Sequence, residues 1–147
     1  MALFIKDALL DGTPTSILIE NDTITGIGSD MPVPVSSGGE RPVVIDGAGK
    51  AVFPAFANLH THAAMTLFRG YGDDHPLQEW LQQWIWPAEQ NLDDEAVYWA
   101  TRLACIEMVK SGTTLFNDMY FYTAAAARAV EDSGIRAMIG YTCFDFN

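Results

Sequence analysis

Positive charge is scarce in this sequence. Eight Lys and Arg stand against 19 Asp and Glu, giving a formal net charge of −11. A nucleic-acid backbone is held by clustered cations, so this deficit excludes nucleic acid as the main partner. The acidity serves solubility most simply. Cysteine is also scarce. Cys105 and Cys143 stand alone in apolar surroundings, which excludes a disulfide framework or a zinc knuckle and points to reduced thiols in the cytoplasm. No apolar run approaches the ~18 residues a membrane helix needs. Lys6 and Asp7 interrupt the first apolar stretch, so the opening residues read as no signal peptide.

What is present changes texture near residue 52. Before it, short apolar runs rich in Ile, Val and Thr predict strands at Leu3–Ile5, Ser16–Glu20, Thr23–Thr25 and Val43–Ile45. Asn21-Asp22 forms a hairpin turn, and Met31–Pro42 is a loop rich in Pro, Ser and Gly. Residues 1–52 read as part of a small β-sandwich, too short to bury a core comfortably alone.

After it, strands and helices alternate. Val52–Leu59 reads as an apolar strand ending at two histidines. Pro76–Trp86 reads as a helix with Leu77, Trp80, Leu81, Trp84 and Ile85 on one stripe, Pro76 opening it and Pro87 stopping it. A second helix is expected from Asp93 to Lys110, closed by Ser111-Gly112. A strand at Thr113–Asn117, a helix at Thr123–Ser133 ended by Gly134, and a strand at Ile135–Tyr141 complete the pattern. Such alternation implies parallel βαβ units. No glycine-rich phosphate turn follows Leu59, which argues against a doubly wound nucleotide-binding sheet. The fold class is α/β: residues 53–147 read as the first βα units of an incomplete (β/α)8 barrel.

The chemistry sits in His60-Thr61-His62. Residues i and i+2 of a strand point the same way, so both imidazoles can reach one ion. In (β/α)8 enzymes catalysis gathers at the carboxyl ends of the strands. By spacing alone, two solvated or loop-bonded histidines explain the pattern equally well.

The stretch Pro54-Ala55-Phe56-Ala57-Asn58-Leu59-His60-Thr61-His62-Ala63-Ala64-Met65-Thr66-Leu67-Phe68-Arg69-Gly70 resembles the first-strand signature of the amidohydrolase superfamily. Together with Trp80-Leu81, Trp86-Pro87-Ala88-Glu89, Glu107-Met108, Ser111-Gly112-Thr113-Thr114 and Asp118-Met119-Tyr120, it is similar to the 5-methylthioadenosine/S-adenosylhomocysteine deaminase and chlorohydrolase group. The resemblance implies one divalent metal, zinc or else iron, with His60 and His62 as its first two ligands. It implies hydrolysis by metal-activated water that deaminates a small-molecule substrate, an adenosine-like nucleoside such as S-adenosylhomocysteine or 5-methylthioadenosine or else another amino-heterocycle. Glu89 matches the acid that accepts hydrogen bonds from ribose hydroxyls, its alternative being a solvated charge past a helix end. Trp86 lies off the helical stripe beside Glu89 and is the pocket candidate, while Trp80 and Trp84 read as core. Asp118 either orients a metal ligand from behind or caps a loop, the simpler role. His75 reads as a helix cap and Arg69 as an ion-pair partner.

Departures from the pattern accompany the likeness. Ala55 stands where the family usually has Gly after Pro54, and carries strain if that turn needs a positive φ. Tyr141 stands where some methylthioadenosine-type members have Arg. The family's later histidines, catalytic Glu and last metal-binding Asp lie beyond residue 147, so no catalytic residue besides the metal ligands is expected here and the 147 residues alone are expected to be inactive. Guanine deamination, triazine dechlorination and a non-catalytic truncated module are the alternatives, and homo-oligomerisation is left open.

Overall fold

The computed structural model describes residues 2–35 and 40–143. The chain divides into two compact units, Met1–Pro54 and Ala55–Asn147.

The first unit is one four-stranded sheet in the order β3-β2-β1-β4. Strands β1 (Ala2–Leu10), β2 (Thr13–Glu20) and β3 (Thr23–Gly28) form an antiparallel meander, and β4 (Val43–Asp46) adds parallel to β1. Glu20 pairs with Thr23 across Asn21-Asp22, with Asn21 at φ +57°, as the hairpin reading requires. β1 runs well past Ile5 because a register shift between Ile5 and Ala8 lets pairing resume, the work of a β-bulge. Among the described residues this unit holds one sheet and no second layer that would make a sandwich. Part of the loop expected at Met31–Pro42 (residues 36–39) lies outside the described residues.

The second unit is a three-stranded parallel sheet, β5-β6-β7, packed on helices. β5 is Phe56–Thr61, followed by a 3-10 turn, Ala63–Phe68. The strand predicted at Val52–Leu59 therefore starts and ends later. Apolar content marked the segment, but Phe53 is 80% exposed and sheet pairing begins only at Phe56. Ala55 is not among the residues with positive φ, so the turn after Pro54 places no strain on it.

Helix α3 (Asp94–Lys110) starts where the sequence indicates: Asp93 accepts from the Ala96 amide at 2.8 Å, a standard N-cap. Its Val97, Ala100, Thr101, Ala104 and Cys105 are buried at helical spacing. β6 (Thr113–Tyr120) is longer than predicted, so Asp118 lies within the strand and not at its end. α4 (Thr123–Ser133) buries Ala125, Ala126 and Ala129 and ends at Gly134, φ +70°, the left-handed cap glycine favours. β7 is Arg136–Tyr141, with Tyr141 80% exposed. The core lies between sheet and helices, with Phe116 and Tyr120 of β6 against small residues of α3 and α4.

The segment expected as one helix ending at Pro87 is built otherwise. α1 (Leu77–Glu79) passes into a π-helical turn, Trp80–Ile85, and continues as α2 (Trp86–Glu89). The Trp86 amide bonds to the Leu81 carbonyl, five residues back. Proline lacks an amide hydrogen and crowds the preceding turn; widening that turn accommodates it and lets the helix run on. The expected apolar stripe is buried only in part. Ile85 is buried at 1% exposure, whereas Leu77 is 64% exposed. His75 does not cap the helix: its Nδ1 lies 3.0 Å from Glu79 Oε1, and its ring stacks on Trp84. Among the described residues no helix is long and apolar enough to cross a membrane.

Candidate metal centre

His60 lies in β5 and His62 one residue beyond its end, as N-cap of the 3-10 turn. The alternation of the strand brings their rings to 5.1 Å between centroids, 77° apart in plane. His62 Nδ1 lies 2.6 Å from the Met119 carbonyl oxygen. A carbonyl only accepts, so Nδ1 carries the hydrogen, and Nε2 is the nitrogen left on the far side of the ring for a metal.

Asp118 is 1% exposed, and its Oδ1 accepts from the Ala63 amide at 2.8 Å. It therefore pins the backbone next to His62 and caps the 3-10 turn. Its hydrogen bond is to the main chain beside His62, at the Ala63 amide. Burial pushes its carboxyl above the usual carboxylate range, while the Ala63 amide and the nearby His62 pull it back.

A cavity of about 340 Å³ opens beside His62. Trp80, Trp86, Glu89, Met119 and Tyr120 are among its lining residues. Trp80, expected in the core, borders this cavity and donates its Nε1 hydrogen to the Tyr71 carbonyl at 3.1 Å. Trp86 is 48% exposed. Glu89 accepts from the Tyr120 hydroxyl at 2.6 Å. Burial, then the Glu89 carboxylate, hold that phenol protonated far above its ordinary range. Arg69 pairs with Glu107 through two bonds of 3.0 and 2.7 Å outside this cavity.

The donor set fits a divalent metal that favours imidazole. A catalytic zinc takes three protein ligands and keeps an open position. His60 and His62 would be two of them. Among the described residues no group of three or more His, Cys, Asp or Glu side chains converges. The sequence reading assigned no role to Tyr120 or to the Met119 carbonyl. The alternation Phe116, Asp118, Tyr120, all buried, was the available sign that one face of β6 supports the site.

The amidohydrolase family pattern matches residues 51–147. The 5-methylthioadenosine/S-adenosylhomocysteine deaminase 1 of Archaeoglobus fulgidus is 64% identical over 104 residues, covering 71% of this chain and 25% of that protein. The 5'-deoxyadenosine deaminase of Methanocaldococcus jannaschii is 47% identical over 143 residues, covering 97% of this chain and 33% of that protein. Among solved structures, an adenosine deaminase from Xanthomonas campestris with bound zinc superposes with a TM-score of 0.76 at 32% identity, over 92% of this chain and 33% of that one. The chain thus spans a quarter to a third of the length of the curated relatives it matches.

Proposed function

Because the chain belongs to the amidohydrolase family, we propose that it supplies the first two metal ligands and the ribose side of the pocket in an aminohydrolase acting on an adenosine-like nucleoside. The observation that carries this reading is the joint geometry of the two histidines. They converge at the end of a parallel strand, and one is fixed with Nε2 available, beside an aromatic cavity bordered by a carboxylate. In this reading residues from 55 onward are the first three strands of a (β/α)8 barrel, the preceding unit is part of a β-sandwich, and the active protein is a longer chain. Within this sequence Cys105 and Cys143 are free thiols, which suits a reducing cytoplasm.

His60 and His62 would hold the metal, zinc or iron, which when bound supplies a water acidified toward neutral pH. The chain's own residues orient the substrate. Trp86 and Trp80 offer faces to a flat purine. Glu89 accepts from the ribose hydroxyls, a task suited to an ionised carboxylate with two oxygens. The Met119 carbonyl and Asp118 keep His62 in place. The relatives' names, which speak of adenosine-type nucleosides, support this substrate class. The test is deamination by the full-length protein across 5'-deoxyadenosine, methylthioadenosine, S-adenosylhomocysteine, guanine and a chlorotriazine. Activity confined to the adenosine-like nucleosides, and abolished by His60→Ala with His62→Ala, is the expected result. A preference for guanine or the triazine, or retained activity in the double variant, contradicts it.

A further inference from the structure

Glu89 meets the cavity with one of its two carboxylate oxygens already engaged. Tyr120, 6% exposed at the end of β6, donates its hydroxyl to Oε1 from across the fold, 31 residues away in sequence. Its ring is 6.2 Å from that of His62 and 5.1 Å from that of Phe121, so packing fixes where the hydroxyl points. Glu89, by contrast, sits on the last residue of the four-residue α2, and a glutamate chain on such a short element has several torsions to settle. We propose that Tyr120 is a positioning residue that locks the plane of the Glu89 carboxylate toward the cavity, presetting it for the vicinal hydroxyls of a ribose. This inference rests on the reading of Glu89 as the ribose acceptor. A carboxylate has about four acceptor positions. One is taken by Tyr120, and those that remain include both positions on Oε2 and one on Oε1, enough for two hydroxyl donors. A phenol donor suits the task because it occupies Oε1 without adding a charge to compete with the substrate.

The test is steady-state kinetics of the full-length, metal-loaded protein with a ribonucleoside and its 2',3'-dideoxy analogue. Tyr120→Phe keeps the buried ring and is expected to raise KM for the ribonucleoside by about tenfold with kcat unchanged, the mark of lost binding common to ground and transition states. The dideoxy analogue should be unaffected, and Tyr120→Phe should add nothing in a Glu89→Gln background, as coupled residues do. Equal losses on both substrates, or additive losses in the double variant, overturn the proposal in favour of a structural tyrosine. If Glu89→Gln alters the ribose preference and Tyr120→Phe does not, this inference falls and the Glu89 reading stands. If Glu89→Gln leaves that preference unchanged, both fall. Should Tyr120→Phe not fold, the Tyr120 hydroxyl proton can be followed by NMR in the unmodified protein. A shift on binding a ribonucleoside inhibitor but not its dideoxy form supports the proposal, and no shift overturns it.

Discussion

Replacing Asp118 with alanine tests how the fold holds its candidate ligand. Asp118 Oδ1 is 2.8 Å from the Ala63 amide, and both residues are buried, at 1% and 2% exposure. Alanine would leave that amide without an acceptor, a loss of about 1–3 kcal/mol for a buried donor. Burial also disfavours the carboxylate itself, so the net cost falls toward the middle of that range, about 2 kcal/mol. In a unit of this size each kcal/mol moves Tm by about 4–8 °C, so Asp118→Ala should lower the melting transition by about 8–16 °C. Asp118→Asn keeps an oxygen acceptor and should cost less than half as much. Zinc affinity gives a second readout. Displacing the residue after His62 should weaken it about tenfold in Asp118→Ala, the low end for groups that orient a ligand. Calorimetry and a competitive zinc titration on the same samples decide the matter. Equal destabilisation by Ala and Asn would show that the charge matters and not the accepted bond. A normal melting curve for Asp118→Ala would refute the anchoring role.

Three other outcomes follow from the same contacts. Pro87→Ala restores an amide hydrogen and should let the π turn tighten into α-helix, turning Trp86 and Glu89 away from the cavity. Nucleoside affinity in the full-length protein should fall about tenfold, and an unchanged Trp86 environment in fluorescence quenching would contradict this. Gly72 and Gly134 share a left-handed φ, +67° and +70°, but a Cβ on Gly72 would lie 2.8 Å from the Trp84 ring whereas Gly134 has open space. Gly134→Ala should therefore cost about 1 kcal/mol and Gly72→Ala about 2–4 kcal/mol, and equal losses in denaturant titrations would reject the clash. Finally, Arg69 holds the Glu107 carboxyl below its usual range, chiefly by hydrogen bonding. A lowered carboxylate pKa adds stability above the ordinary carboxylate range that is lost as pH falls through the folded value. Glu107→Gln should accordingly lower Tm slightly at neutral pH and low salt, with the difference vanishing in acid and in high salt. A pH-independent difference would rule this out.

Much of the second unit was legible because its signals are local. Asp93 marks the start of α3, Gly134 closes α4, and the spacing of His60 and His62 on a strand is enough to bring their rings together. The misreadings come where one local rule met another constraint. Pro87 was expected to stop a helix, but a widened turn absorbs its missing donor and the helix runs on to Glu89, while Trp80, expected in the core, lines the cavity. Val52 and Phe53 are apolar yet lie before β5: the Val52 amide bonds instead to the Leu9 carbonyl at the end of β1, and Phe53 is 80% exposed, since apolarity alone does not say which strand a residue pairs with. The support for the site was the least legible part. The Asp118–Ala63, His62–Met119 and Glu89–Tyr120 bonds join residues 55, 57 and 31 positions apart, and no local pattern announces a pairing that only the sheet and helix packing creates.

The central claim, that His60 and His62 are metal ligands, is tested most directly by metal analysis of the full-length protein with parallel zinc titrations of the wild type, His60→Ala and His62→Ala. The account predicts one tightly held divalent ion per chain in the wild type and a loss of affinity of at least about tenfold in each variant. Unchanged stoichiometry and affinity in both variants would contradict it.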